Sequence, residues 1–429
     1  MNYFSLNKKA PNVDFKTATI LGQAPDKGLY FPERIPVLDA EFFNNIENIS
    51  NEEIAYKVIA PYVGNTIHEN ELRRIVKETI DFPLPLVNIN KNISSLELFH
   101  GPTLAFKDIG ARFMSRCLGH FSKERSEKVT VLVATSGDTG GAVANGFYDV
   151  PGVEVVILYP SGKVSEVQEK QMTTLGKNIH ALEISGNFDD CQALVKQAFA
   201  DDDLTKKLFL TSANSINVAR WLPQQFYYFF AWKQWADKKN PPVISVPSGN
   251  FGNICAGLLA HKSGLPVKHF IAACNANDVV TRYLQTEKYE PRQAVATLSN
   301  AMDVGSPSNF VRIMELFQHK FTDLKDKISS TSITDDETVA TIKKVYAANK
   351  YLLDPHGAVG YISLEQYLQQ HSSDKGFILE TAHPVKFSDS VEKITGEKIN
   401  MDVPANGPKK TVKMDAKYDN LVDFLTKNK

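Results

Sequence analysis

The chain has 429 residues, of which 43% are hydrophobic and 23% charged, with a formal net charge of -1. This is an ordinary globular composition, and at roughly 150 residues per domain it predicts two or three domains. Near-neutral charge excludes a general basic field for nucleic acid or an anionic membrane, so any anion must be met by a local site.

Residues 1–90 differ from the rest in composition and turn signals. They carry "APDKGLYFPERIP" and then the helix-like "NEEIAYKVIAPYV" and "ENELRRIVKETI", which predicts a small, mainly helical N-terminal domain. "DFPLPLVNINKN" (Asp81–Asn92) reads as a connector. From Val129 onward strand-like and helix-like segments alternate. "VTVLVAT" precedes "GGAVANGFY", and "VEVVILYP" precedes "SEVQEKQMTTLG". "IHALEI" precedes "FDDCQALVKQAFA", and "LFLTSA" precedes "NVARWLPQQFYYFFAWKQW". "PPVISVPSG" precedes "NFGNICAGLLAHKSG"; "VKHFIAAC" and later "GFILETA" follow. Such alternation predicts an α/β protein with parallel sheets covered on both faces. Ligands in such folds sit at the carboxyl ends of strands.

Three strand ends are polar or glycine-rich. "SGNFGN" (Ser248–Asn253) opens a helix. Its glycines let backbone N–H groups approach an anion, and the helix N-terminus adds positive potential. A tight strand-to-helix turn would use the same residue types. "TSGDTGG" (Thr135–Gly141) can hold a carboxylate through Ser136, Thr139 and successive N–H groups, or can serve as an N-cap. "SANSINVAR" (Ser212–Arg220) offers a second anion site, Arg220 supplying a fork of donors, and is otherwise a polar loop. Together they suggest a phosphorylated cofactor and an anionic substrate. No GxGxxG follows a strand, and no GxxxxGK[ST], HExxH or GxSxG is present. The four cysteines lack a CxxC pair, which predicts buried reduced thiols and no zinc site. No secretory segment is visible, and "QFYYFFAW" is too short to span a bilayer. The expectation is a cytoplasmic protein, monomer or homodimer, with no nucleic-acid or membrane partner and no metal.

"FHGPTLAFKDIGARFM" (Phe99–Met114) places Lys107 among apolar residues at a helix start. Burial and a helix N-terminus both disfavour an ammonium. Beside a phosphate cradle, an uncharged amine suits imine formation with the aldehyde of pyridoxal phosphate. A solvated surface lysine is the other reading of the residue taken alone.

"ELFHGPTLAFKD" (Glu97–Asp108) resembles the lysine segment of the threonine synthase family, pyridoxal-phosphate enzymes of the tryptophan-synthase-β fold. "GQAPDKGLYFPE", "TSGDTGGA", "NSINVAR", "PSGNFGN", "AMDVGSPSNF", "DPHGA" and "ETAHPVKF" occur in that family's order. The resemblance covers nearly the whole chain. It implies two parallel-sheet αβα domains with the cofactor between them, placed at residues 91–225 and 226–429 after the N-terminal domain of residues 1–90. It implies that Lys107 carries the cofactor, that Gly249, Asn250, Phe251, Gly252 and Asn253 hold its phosphate, and that Thr381 meets its ring nitrogen. Ser136, Gly137 and Thr139 would bind the substrate carboxylate; Asn214, Ser215 and Arg220 would bind the substrate phosphate.

Asp138 departs from many relatives of this fold, which place an asparagine opposite the cofactor's phenolic oxygen. A carboxylate there repels a phenolate unless the two share a proton or the aspartate turns away. The implied substrate is O-phospho-L-homoserine, with threonine and phosphate as products. A serine or threonine dehydratase of the same fold, or a non-catalytic relative, are the alternatives. His100 could act in catalysis or pack behind Lys107. His356 could line the site or belong to a helix start capped by Asp354.

Overall fold

The computed structural model describes residues 1–123, 127–401 and 407–427. Two sheets form its centre. The larger has six strands in the order Ile328–Ser332, His269–Cys274, Val243–Pro247, Gly376–Glu380, Ile93–Glu97, Leu86–Asn88. All its pairings are parallel except the last. The smaller has five parallel strands in the order Val412–Asp415, Ile179–Ser185, Val153–Pro160, Val129–Ala134, Phe209–Ser212. Val129–Ala134 and Val243–Pro247 are buried along their whole length, as continuous apolar runs in a two-sided parallel sheet must be.

The sheets do not follow the linear cuts at residues 90 and 225. Ile93–Glu97 lies in the large sheet, in register with Gly376–Glu380. Val412–Asp415, near the other end of the chain, closes the small sheet against Ile179–Ser185. Neither strand advertises itself. "ISSLE" interrupts its apolar run with two serines, and in "VKMD" only Met414 is buried. Val412–Asp415 is an edge strand, with one neighbour, and needs little apolar surface. The connector Asp81–Asn92 likewise contains the edge strand Leu86–Asn88.

The N-terminal region holds, beside its helices, an antiparallel sheet of Val13–Asp14, Asn2–Ser5 and Tyr30–Pro32. It packs on the central domains rather than standing apart. Phe15 lies 6.4 Å from both Phe113 and Phe121, on the helix Lys107–Ser122. Asn217 donates to Thr19 O at 2.8 Å, and buried Arg312 donates to Tyr30 O. The expected helix after Asn217 is divided into Val218–Trp221, a tight turn at Leu222–Gln224 and Gln225–Gln234. The break falls at Pro223, which has no N–H to continue a helical ladder. The four cysteines are free and buried. Among the described residues no helix is long and apolar enough to cross a membrane, and no cluster of three or more His, Cys, Asp or Glu could hold a metal ion.

Phe15 is fully buried and joins the N-terminal domain to the lysine helix. Phe15→Ala should therefore cost about 3–5 kcal/mol of unfolding free energy. Urea titration of the variant checks this; an unchanged midpoint would mean that the N-terminal domain folds independently of this contact.

Candidate active site

The expected site segments all leave the carboxyl ends of parallel strands. Lys107 is the first residue of the helix Lys107–Ser122. The loop leading to it is stitched to the end of Gly376–Glu380. Leu98 N–H donates to Glu380 O at 3.0 Å, Phe106 N–H to Thr381 O at 2.9 Å and His383 N–H to Leu104 O at 3.0 Å, with a bridge between Ala105 and Ala382. Buried Thr381 is thus held next to the residue preceding Lys107. Tyr227 fixes the same turn by donating its hydroxyl to Phe106 O.

Asp138 begins the helix Asp138–Phe147 and is buried. Its Oδ2 is 3.6 Å from Lys107 Nζ, and its Oδ1 is 2.8 Å from Lys386 Nζ. Gln168 Nε2 donates to Oδ1 at 3.0 Å. Burial opposes the carboxylate's charge, yet Lys386 first and Lys107 second hold Asp138 well below the usual carboxylate range. The aspartate is therefore an anion whose two oxygens are directed at two lysines. Burial pushes Lys107 below the ordinary lysine range; Asp138 opposes that shift, while Lys386 and Arg220 add to it. Gly137, just before, has φ +138°, a conformation that side chains disfavour. A Cβ there would also overlap the Gln168 amide. Ser136 and Thr139 flank this turn, partly exposed.

The Ser248–Asn253 loop is built as an anion cradle. Phe251 has φ +59°, and Gly252 starts the helix Gly252–Lys262, leaving its first N–H groups free of intrahelical partners. A Cβ on Gly249 would come 2.6 Å from Met302 Cα, so the loop lies directly under Ala301–Met302. Asn253 Oδ1 accepts from Tyr228 at 2.9 Å, while its buried Nδ2 has no partner. Asn250 Nδ2 donates to Ser215 Oγ at 2.7 Å, and Asn309 Nδ2 reaches the same oxygen at 3.1 Å. The structure thus brings Ser215 against the Ser248–Asn253 loop. Arg220 is buried, donates through Nη1 to Ala213 O at 2.6 Å, and has no partner at Nε; Asn214 Oδ1 is also buried and unpartnered. Burial pulls Arg220 down to about 10, so it remains a cation at neutral pH. Unpartnered donors at Asn253 Nδ2 and Arg220 Nε, the latter on a cation, fit phosphorylated ligands, whose oxygens accept hydrogen bonds.

Several participants escaped sequence reasoning. Lys386 was visible within "ETAHPVKF", but nothing local marks it as buried. Arg312 reaches Ser215 O, Ile216 O and Asn309 Oδ1, clamping the Asn214–Arg220 loop from behind. Glu380, one residue before Thr381, is buried and accepts from Asp354 N–H at 2.8 Å. Asp354 caps the helix Pro355–Gln370 and meets His356 Nδ1 at 2.5 Å; His356 Nε2 accepts from Ala301 N–H at 3.2 Å. His356 is therefore a strut beneath the loop that covers Gly249. His100 pairs with Glu97 at 2.7 Å and packs on Phe99, so its ring is directed at Glu97.

Comparison with known proteins gives three family matches. Residues 88–380 match the pyridoxal-phosphate dependent enzymes, residues 2–80 the threonine synthase N terminus, and residues 357–423 the threonine synthase C-terminal region. The threonine synthase of Haemophilus influenzae is 44% identical over 100% of both chains. The crystal structure of threonine synthase from Escherichia coli superposes with a TM-score of 0.93 at 42% identity, covering 100% of both chains. The pyridoxal-phosphate-bound threonine synthase from Brucella melitensis superposes with a TM-score of 0.92 at 35% identity, covering 99% of this chain and 98% of its own.

Glu380 makes stability depend on pH. Burial first, then the Asp354 charge, push its carboxyl well above the ordinary value of 4.5. Above that value the unfolded chain releases a proton that the folded chain keeps, so the folded state loses stability as pH rises. Glu380→Gln stays neutral and removes that loss. Its unfolding free energy relative to wild type should increase as pH rises above about 4. A pH-independent difference in urea titrations would show that Glu380 ionises normally in the fold.

Proposed function

The chain belongs to the threonine synthase family of pyridoxal-phosphate enzymes, and on that premise we propose that it converts O-phospho-L-homoserine and water into L-threonine and phosphate. It would act as a carbon–oxygen lyase on a phosphate ester, by γ-elimination followed by β-addition. The observation that carries this reading is the Arg220 cation, buried, donating through Nη1 to the Ala213 carbonyl and with its Nε unpartnered. A dehydratase substrate brings no second phosphate and has no use for that cation.

When bound, pyridoxal phosphate supplies a conjugated electron sink for the charge left by proton loss. Lys107 would hold its aldehyde carbon, Gly249–Asn253 its phosphate and Thr381 its ring nitrogen. A hydroxyl at that nitrogen, unlike a carboxylate, does not compel it to stay protonated. Ser136, Gly137 and Thr139 would bind the substrate carboxylate at the head of the helix Asp138–Phe147, where helix polarity favours an anion.

Lys107 Nζ, favoured as a neutral amine by burial, takes the substrate Cα proton and returns protons in the closing steps. A second proton leaves Cβ as phosphate departs from Cγ. Arg220, Asn214 and Ser215 hold that phosphate, and the Arg220 charge stabilises it as it leaves. Water then adds at Cβ, positioned or deprotonated by the departing phosphate.

Incubation with O-phospho-L-homoserine should release phosphate and threonine in equal amounts. Ammonia release from threonine with no phosphate release from phosphohomoserine would instead identify a dehydratase. Lys107→Ala should abolish turnover and the borohydride-trapped attachment of pyridoxal phosphate; a fully active variant removes Lys107 from the mechanism. Arg220→Ala should raise KM and lower kcat for phosphohomoserine, and an unchanged profile would move the phosphate pocket elsewhere.

A further inference from the structure

The reading of Lys107 as the cofactor lysine leaves a second buried lysine unexplained. Lys386 lies in the short turn Pro384–Phe387 and its side chain is 0% exposed. Its Nζ has three acceptors: Thr103 O at 2.8 Å, Gln171 Oε1 at 3.2 Å and Asp138 Oδ1 at 2.8 Å. These belong to the lysine loop, the helix Glu166–Thr173 and the helix Asp138–Phe147. An ammonium so held has little freedom to move. Lys107 Nζ, by contrast, stands 3.6 Å from the other Asp138 oxygen, a looser contact.

This asymmetry bears on charge balance. A lysine that attacks a carbonyl must do so as the neutral amine. Were Lys107 the only cation at Asp138, its deprotonation would leave a buried carboxylate without a counter-ion, at a cost that would keep Lys107 charged. Lys386 removes that coupling. We propose that Lys386 is a positioning residue that acts as the permanent counter-ion of Asp138, freeing Lys107 to be neutral and reactive.

This inference rests on the assignment of Lys107 given above. The charged groups around the pair are accounted for. Arg220 adds positive potential at Lys107. Asp108 is turned to Thr103, accepting from its N–H at 2.9 Å and its hydroxyl at 2.5 Å. Gln168 and Gln171 are neutral. The same arrangement lessens the repulsion expected between Asp138 and a phenolate, because the Lys386 ammonium offsets the Asp138 charge whatever the state of Lys107.

The test follows covalent attachment of pyridoxal phosphate to the full-length protein freed of cofactor. Attachment is trapped by borohydride at successive pH values and located on Lys107 by peptide mass. Lys386→Met places the Asp138 charge on Lys107 alone and removes a repelling cation. The midpoint of attachment should rise by about one pH unit or more, so that attachment near neutral pH slows about tenfold or more. Asp138→Asn should lower the midpoint. The double variant Lys386→Met/Asp138→Asn should return it close to wild type, since it removes cation and anion together.

Circular dichroism establishes that each variant is folded. Should Lys386→Met fail to fold, Asp138→Asn and the double variant still decide the matter. A midpoint unchanged in Lys386→Met, or not lowered in Asp138→Asn, overturns the proposal. Failure to trap any adduct on Lys107 of the wild-type protein would overturn the assignment of Lys107 itself, a separate result.

Discussion

The site depends on one pairing between distant parts of the chain: the parallel register of Ile93–Glu97 against Gly376–Glu380. It continues past both strand ends through the hydrogen bonds of Leu98, Leu104 and Phe106 with Glu380, Thr381 and His383. Backbone polar groups inside a protein need partners, and here they find them across about 280 residues of intervening sequence. That stitching carries Lys107 to Thr381 and brings the next turn, with Lys386, against the lysine loop. Without it Lys107, Thr381 and Lys386 would lie on unrelated surfaces.

Charge is then distributed within a largely buried cluster. Lys107 and Lys386 meet Asp138, Arg220 adds positive potential at Lys107, and Asp108 is satisfied by Thr103. Isolated charges of this kind are costly to bury, and under the proposed function their persistence is explained by pairing and by the use of uncompensated positive potential for anionic ligands. Arg220 illustrates the second case, because a carbonyl and an unfilled Nε do not neutralise it. The N-terminal domain contributes from behind, through Thr19 and Tyr30 carbonyls that anchor Asn217 and Arg312. It thereby shapes the loop that presents Asn214, Ser215 and Arg220.

Much of this was legible in the residues. Val153–Pro160 and Phe188–Ala200 have the bounds their apolar patterns imply, because buried parallel strands and capped amphipathic helices announce themselves locally. The three polar strand ends were visible for the same reason. Ile93–Glu97, Ile328–Ser332 and Val412–Asp415 were not, since short strands with serines or one buried side chain owe their conformation to a neighbour. Asp138 was puzzling in sequence because its partner Lys386 lies 248 positions away. His100 and His356 were ambiguous until their partners Glu97, Asp354 and Ala301 were known.

By itself the sequence determined the alternating α/β plan, the family and the polar segments at the strand ends, because these rest on local periodicity, turn chemistry and a fixed order of motifs. Only the tertiary structure decided which sheet each short strand joins, that Ser215 is bound to Asn250 of the Ser248–Asn253 loop, and that Asp138 is shared by two lysines. The physical reason is that hydrogen-bond partners and counter-ions are set by distance in space, and chain order does not encode that distance.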